Sequence, residues 1–127
     1  MKKIILTLII LLNILTYAKA EVYLTASYYS RASLIKEGTW KNGKERKMAN
    51  GKNFDENKLT CANRLFPLGS MLRVTNLASG KSVIVQTTDR IGKRFAGTRI
   101  DLSYEAMRRL DGIKQGLVQV KVEVVNE

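Results

Sequence analysis

Histidine is absent from the 127 residues. No Ser-His-Asp or Cys-His nucleophile pair can form, and no imidazole can act as a general base. Cysteine occurs once, at Cys61. That excludes an intramolecular disulfide and, without histidine, the usual structural zinc sites. Proline also occurs once, and there is no Pro-rich linker, repeat or low-complexity tract. Acidic residues are half as frequent as basic ones, 11 against 22, which leaves a formal net charge of +11. Hydrophobic residues make up 45%, the balance of a globular chain rather than a disordered tail. The length allows one domain.

The first residues stand apart. Met1-Lys2-Lys3 is a short positive region, and Ile4 to Tyr17 is apolar except for Thr7, Asn13 and Thr16. Ala18-Lys19-Ala20 supplies the small-x-small pattern of a cleavage site. Residues 1–20 are therefore expected to be a secretory signal peptide, and residues 21–127 the domain. The apolar stretch is shorter than the ~20 residues a spanning helix needs. No cysteine near Ala20 offers a lipidation point, so no stable membrane anchor is expected. Export to the periplasm or cell envelope changes the meaning of the positive charge. Nucleic acid is not expected as a partner; anionic wall polymers or lipid head groups are. The competing role for the charge is solubility. As an odd cysteine in an exported chain, Cys61 is either a reactive thiol or a small buried hydrophobe on a strand.

Glu21 to Tyr29 is rich in β-branched and aromatic residues and predicts a strand. Ser30 to Gly51 is polar and basic and predicts a long loop. Lys58 to Asn63 predicts a short strand, and Pro67 with Gly69 a turn. Met71 to Asn76 alternates, with Leu72 and Val74 on one face. Ser82 to Thr88 is the next strand, placing Val83, Val85, Thr87 and then Asp89 on one side. Gly92 and Gly97 bracket a polar loop. Asp101 or Ser103 can cap a helix over Tyr104 to Leu110, with Gly112 ending it. Leu117 to Val125 alternates most clearly, through Val118, Val120, Val122 and Val124. Short strands with little helix predict an all-β barrel.

Without histidine, acid–base chemistry falls to carboxylates. Asp89 follows a strand face of valines, and a carboxyl at the edge of an apolar surface is a candidate proton donor. Arg90 beside it points away if the strand continues. The competing role for Asp89 is a turn residue accepting backbone N–H bonds. Asp101 fits a helix cap and Asp55 a turn. Tyr28, Tyr29, Trp40, Phe54 and Phe66 supply rings that can stack on sugars or pack in the core.

Several motifs together resemble a known family. Ala26-Ser27-Tyr28-Tyr29, Met48-Ala49-Asn50-Gly51 and Phe54-Asp55 come first. Leu59-Thr60-Cys61-Ala62, Phe66-Pro67-Leu68-Gly69 and Arg73-Val74-Thr75-Asn76 follow. Gly80 to Val85 leads to Thr88-Asp89-Arg90, then Gly97 to Ser103 and Val120 to Val124. In this order they resemble the double-psi β-barrel domain of the rare lipoprotein A (RlpA) family of septal lytic transglycosylases. The resemblance implies a six-stranded double-psi β-barrel with one or two short helices and a glycan-binding groove. It implies cleavage between N-acetylmuramic acid and N-acetylglucosamine, in which the muramyl 6-hydroxyl displaces the leaving sugar to give a 1,6-anhydro end. One acid/base carboxylate can then suffice, where an ordinary glycosidase needs two. The family's central aspartate falls on Asp89. Tyr28, Asn50, Lys52, Asp55, Asn63 and Arg90 are the implied substrate-binding residues, peptidoglycan glycan strands the implied partner, and no cofactor or metal is implied. Lys52 stands where the family usually has glutamate, and Asn63 where it usually has histidine. Ile91-Gly92 replaces the usual Gly-Pro. Many members carry a C-terminal glycan-binding module, and this chain, ending at Glu127, is expected to act without one. The alternative reading is a non-catalytic wall-binding or expansin-like wall-loosening module.

Overall fold

A computed structural model describes residues 21–38 and 47–125. The signal-peptide expectation and Trp40 fall outside the described residues. Six strands close into a barrel: β1 (Glu21–Tyr29), β2 (Thr60–Ala62), β3 (Met71–Asn76), β4 (Ser82–Asp89), β5 (Arg99–Ser103) and β6 (Val118–Val124). Around the barrel the order is β1-β5-β2-β4-β3-β6. The β1–β5 and β2–β4 pairs are parallel and the other four antiparallel. Closure leaves no strand edge unpaired. The all-β barrel expected from the strand pattern is what forms.

Period-two alternation decides what fills it. Leu24 and Ala26 of β1, Leu72 and Val74 of β3, Val83 and Val85 of β4, and Val118, Val120 and Val122 of β6 point inward and are buried. Ile100 and Leu102 do the same from β5, and Cys61 from β2. Cys61 is thus the small buried hydrophobe of the two roles open to it. With no disulfide available, this apolar contact carries the fold.

Among the described residues, two α-helices sit on the barrel. Helix α2 (Tyr104–Arg109) follows β5 directly; the Ser103 hydroxyl caps it by accepting from Ala106 N at 3.3 Å. Its C-terminus closes with Asp111 N–H on Arg108 O and Gly112 N–H on Met107 O. Asp111 takes the left-handed position (φ 58°), and Gly112 lies against Met107, where a Cβ would come within 2.3 Å of its sulfur. Asn76, 2% exposed, locks this end to the β3–β4 turn. Its Nδ2 donates to Leu110 O at 2.7 Å and its Oδ1 accepts from Ala78 N at 2.9 Å.

Three expectations need correcting. Ser30 to Gly51 is not loop throughout, because helix α1 (Arg31–Lys36) forms behind a reciprocal Ser30–Ser33 capping box. Six residues with only Leu34 buried give too little periodicity to read. Arg99 to Ser103 is a strand, and Asp101 sits in the middle of it rather than capping α2. Lys58 to Asn63 contracts to the three residues of β2.

Replacing Asn76 with alanine strands the Ala78 N–H and leaves the Leu110 carbonyl with only the longer bond from Ser79 Oγ, at 3.3 Å. The expected cost is about 1–3 kcal/mol, read as a lower urea midpoint with an unchanged m-value.

Candidate active site

The register of β2 builds the site. Ala62 pairs with Asp101 on β5 to one side and with Asp89 on β4 to the other. Adjacent strands lie about 4.8 Å apart, so the two aspartate backbones stand on the order of 10 Å from each other. The side chain between them is only a methyl, which leaves the space above Ala62 open. The β2–β4 register slips at this point, from Cys61↔Thr87 to Ala62↔Asp89. Thr88 is the extra residue, and the bulge buries both Thr88 and Asp89 at the strand end. On β1, Thr25, Ser27 and Tyr29 alternate with the inward Leu24 and Ala26, so they lie on the outer face. Ser27 pairs with Asp101 in the parallel register, and its hydroxyl donates to Asp101 Oδ1 at 3.0 Å.

These strands and the turn after β4 enclose a cleft of about 230 Å³. Its lining comprises Ser27, Tyr29, Ala62, Asp89, Arg90, Ile91, Gly92, Phe95, Arg99 and Asp101. Asp89 is 6% exposed. A carboxylate so buried needs donors. Its Oδ1 accepts from Ala49 N at 3.0 Å and from Arg90 N at 2.9 Å. The second oxygen, Oδ2, enters no hydrogen bond among the described residues. Asn50 N donates to Thr88 O at 3.1 Å, and Asn63 N to Asp89 O at 3.2 Å, so the backbone on both sides is fixed. Arg90 turns its guanidinium beneath the 63–66 turn, where Nη1 donates to Asn63 O at 3.1 Å and Phe66 O at 3.0 Å.

Tyr29 completes the wall. Its ring stacks on Phe54 at 4.3 Å, inside a satellite cluster with Leu34 and Met48. Its hydroxyl is buried, as is that of Thr60, and neither makes a hydrogen bond of good geometry. Burial first, then the nearby Asp89 and Asp101 charges, hold the Tyr29 phenol far above the usual tyrosine range, so it stays neutral. Burial also pushes the Cys61 thiol up to about 11.

The residues expected at the site divide into three groups. Asp89 and Arg90 line the cleft. Asn50, Lys52 and Asp55 line a second hollow of about 120 Å³ together with Met48, Asn53, Lys58, Thr60, Gln86 and Thr88. Asn50 and Asp55 also act as turn residues there, accepting from Lys52 N at 3.0 Å and Asn57 N at 2.9 Å. Tyr28 and Asn63 reach neither hollow. Tyr28 packs edge-on against Tyr104, ring centroids 6.1 Å apart. Asn63 has no exposed surface. Its Nδ2 donates to Thr87 Oγ1 at 2.9 Å, and its Oδ1 accepts from Leu65 N and Phe66 N. Asn63 therefore pins the turn from within the barrel instead of facing a ligand. Ser27, Phe95 and Arg99 join the cleft without having been singled out for it, together with Tyr29, expected as a ring for sugars or core, and Asp101, a candidate carboxylate read chiefly as a cap. The alternation of Arg99 and Asp101 with buried Ile100 and Leu102 was the signal available for two of them.

A family model described as lytic transglycolase matches residues 22–122. The endolytic peptidoglycan transglycosylase RlpA of Pseudomonas aeruginosa is 44% identical over 78 residues, covering 61% of this chain and 23% of that protein. The probable endolytic peptidoglycan transglycosylase RlpA of Aquifex aeolicus is 37% identical over 89 residues, 68% of this chain and 39% of that one. Its counterpart in Treponema pallidum is 34% identical over 125 residues, 95% of this chain and 36% of that one. The chain thus spans less than half the length of these relatives. Among solved structures, Streptomyces papain inhibitor superposes with a TM-score of 0.62 at 18% identity, covering 84% of this chain and 96% of that one. Clavibacter michiganensis expansin superposes with a TM-score of 0.62 at 21% identity, covering 85% and 52%. These likenesses are of fold, and with the strand order they bear out the double-psi β-barrel.

The two N–H donors on Asp89 Oδ1 set an asymmetry between substitutions. Asp89→Asn keeps an oxygen for Ala49 N and Arg90 N, whereas Asp89→Ala strands both. The alanine variant is expected to be less stable than the asparagine variant by about 1–3 kcal/mol, measured by urea unfolding. Cys61 should be silent to a thiol reagent in the native protein at pH 8 and react fully once the chain is unfolded; rapid native labelling would contradict its burial.

Proposed function

The chain belongs to the lytic transglycolase family, and from that premise we propose that it cleaves peptidoglycan glycan strands to 1,6-anhydro ends with Asp89 as the acid/base. The observation that carries the reading is Asp89 itself. It is a buried carboxylate that lines a cleft, with one oxygen clamped by two backbone N–H groups and the other unbonded among the described residues.

In the proposed reaction a strand lies over Ala62 with the bond to be broken beside Asp89. Protonated Asp89 gives its proton to the leaving glycosidic oxygen as the C1–O bond breaks. The muramyl 6-hydroxyl attacks C1 and returns its proton to Asp89. The carboxyl is thereby regenerated and no water is consumed. Positive charge develops at C1 in the transition state, and Asp101 stands across the cleft as the anion that stabilises it. Ser27 holds Asp101 in place. The clamp on Oδ1 limits rotation of Asp89, so Oδ2 meets both oxygens in turn.

The other expected residues take graded roles. Asn50, Lys52 and Asp55 extend the binding surface into the second hollow. Arg90, Asn63 and Tyr28 shape the cleft from behind. Residues 1–20 act as a cleaved signal peptide, which places the domain in the cell envelope where its substrate is. A second reading, wall binding or loosening without bond cleavage, is favoured by one observation: Lys52 and Asn63 stand where the family usually has glutamate and histidine.

Product analysis separates the two readings. Purified protein incubated with intact sacculi and with amidase-stripped strands should release fragments with anhydromuramyl ends, detected by mass spectrometry. The Asp89→Asn variant should lose that activity by at least about a hundredfold, the lower range for a positioned acid/base. Reducing ends would instead indicate a glycosidase using Asp89 with a second carboxylate. Pelleting on sacculi without soluble products would select the binding module.

A further inference from the structure

Arg99 lines the same cleft as the two aspartates and has no place in the reaction above. It lies two residues before Asp101 on β5, on the same outer face. Its guanidinium carbon stands 4.8 Å from the centroid of the Phe95 ring, and that of Arg94 stands 4.5 Å from the same ring. The ring is fixed by a 3₁₀ turn over Lys93–Phe95, in which Phe95 N donates to Gly92 O at 2.9 Å and Thr98 N to Phe95 O at 3.1 Å. Among the described residues, neither Arg94 nor Arg99 enters an ion pair. Two guanidiniums are thus gathered on one ring at the wall of a cleft whose other charged groups include two carboxylates, with no ion pair to either guanidinium among the described residues.

We infer that Arg99, steadied with Arg94 on Phe95, is a specificity residue that takes a carboxylate carried by the glycan. Stacking on a ring face occupies the plane of a guanidinium and leaves its N–H edge free, the edge that matches a carboxylate bidentately. The negative charge at the aspartates opposes an anionic sugar, and a cation two residues from Asp101 offsets that repulsion at the place where the sugar must lie. Arg90 does not fill this role, because Nη1 is already committed to two backbone carbonyls. In a glycan strand, a carboxylate comes from the lactyl group of muramic acid once its peptide is removed, or from the stem peptide while it is attached. The chemistry is shared, and the two sources are distinguished by experiment.

The inference rests on the glycan reading above, and its test is a binding measurement that separates the two. The full chain carrying Asp89→Asn, alone and with Arg99→Gln, is titrated calorimetrically with three tetrasaccharides. One is a stripped muramyl oligomer with free lactyl carboxylates, one bears stem peptides, and one is an uncharged N-acetylglucosamine oligomer. The expected result is at least about tenfold tighter binding of a carboxylate-bearing ligand than of the uncharged one, the scale of a charge-assisted hydrogen bond. Arg99→Gln should bring the two within about twofold, the loss falling on the carboxylated ligand alone. Which ligand loses affinity identifies the carboxylate. Arg94→Gln should act in the same direction and more weakly. Arg99 is on the outer face, and an unchanged melting curve for each variant excludes misfolding. A preference that survives Arg99→Gln, or an equal loss for all three ligands, overturns the inference and leaves the glycan groove standing. Binding of none of the three overturns the glycan reading itself.

Discussion

A carboxylate buried at the end of a strand must be given hydrogen bonds, and much of the structure around Asp89 follows from how this is done. The donors are the backbone N–H groups of Ala49 and Arg90. The first comes from a segment 40 residues upstream, so satisfying Asp89 draws residues 47–53 across the end of β4. That segment supplies Met48 to the cluster over Tyr29, and its far side walls the second hollow. The Arg90 side chain then secures the 63–66 turn, which Asn63 holds from inside. One charged group thereby organises both hollows and the strip of chain between them.

The barrel makes such an arrangement affordable. Apolar strand faces fill a closed interior, so the outer face at the β1-β5-β2-β4 junction is free to carry polar groups. Parallel pairing of β1 with β5 and of β2 with β4 brings strand ends from distant parts of the sequence to one place. Ala62 sits between the aspartates because β2 runs between β4 and β5. A larger side chain there would fill the space a ligand needs. Strands hold the acidic groups, and a cation-bearing turn stands at the wall.

Strands β3, β4 and β6 were legible because each shows at least two buried apolar residues at period two, as in Val118, Val120 and Val122. Helix α2 was legible from its Ser103 cap and from Gly112. Strand β5 was not, although Ile100 and Leu102 alternate as in β3, because Asp101 between them mimics a cap for the helix that follows. Asp89 could be singled out as the continuation of the valine face, but the bulge at Thr88 turns it to the outer face beside Ala62 and Asp101. The partnership of Asp89 with Asp101 could not be singled out, because it depends on β2 lying between β4 and β5. Likewise Ser27 and Asp101 are 74 residues apart, and nothing local in either segment announces their bond. Asn63 misled for a related reason. A polar residue in a matched motif invites a place in the groove, while burial and four side-chain hydrogen bonds make it a fastener. Under the proposed function, Asn63 and Lys52 in place of the usual histidine and glutamate leave the chemistry to aspartate alone.

The most direct test of Asp89 as acid/base is a crystal structure of the Asp89→Asn variant with a muramyl tetrasaccharide. The account predicts a strand crossing above Ala62, with a glycosidic oxygen about 3 Å from the side-chain amide that replaces Oδ2. A sugar chain held only in the hollow beside Lys52 and Asp55, with no glycosidic oxygen in reach of position 89, would contradict it.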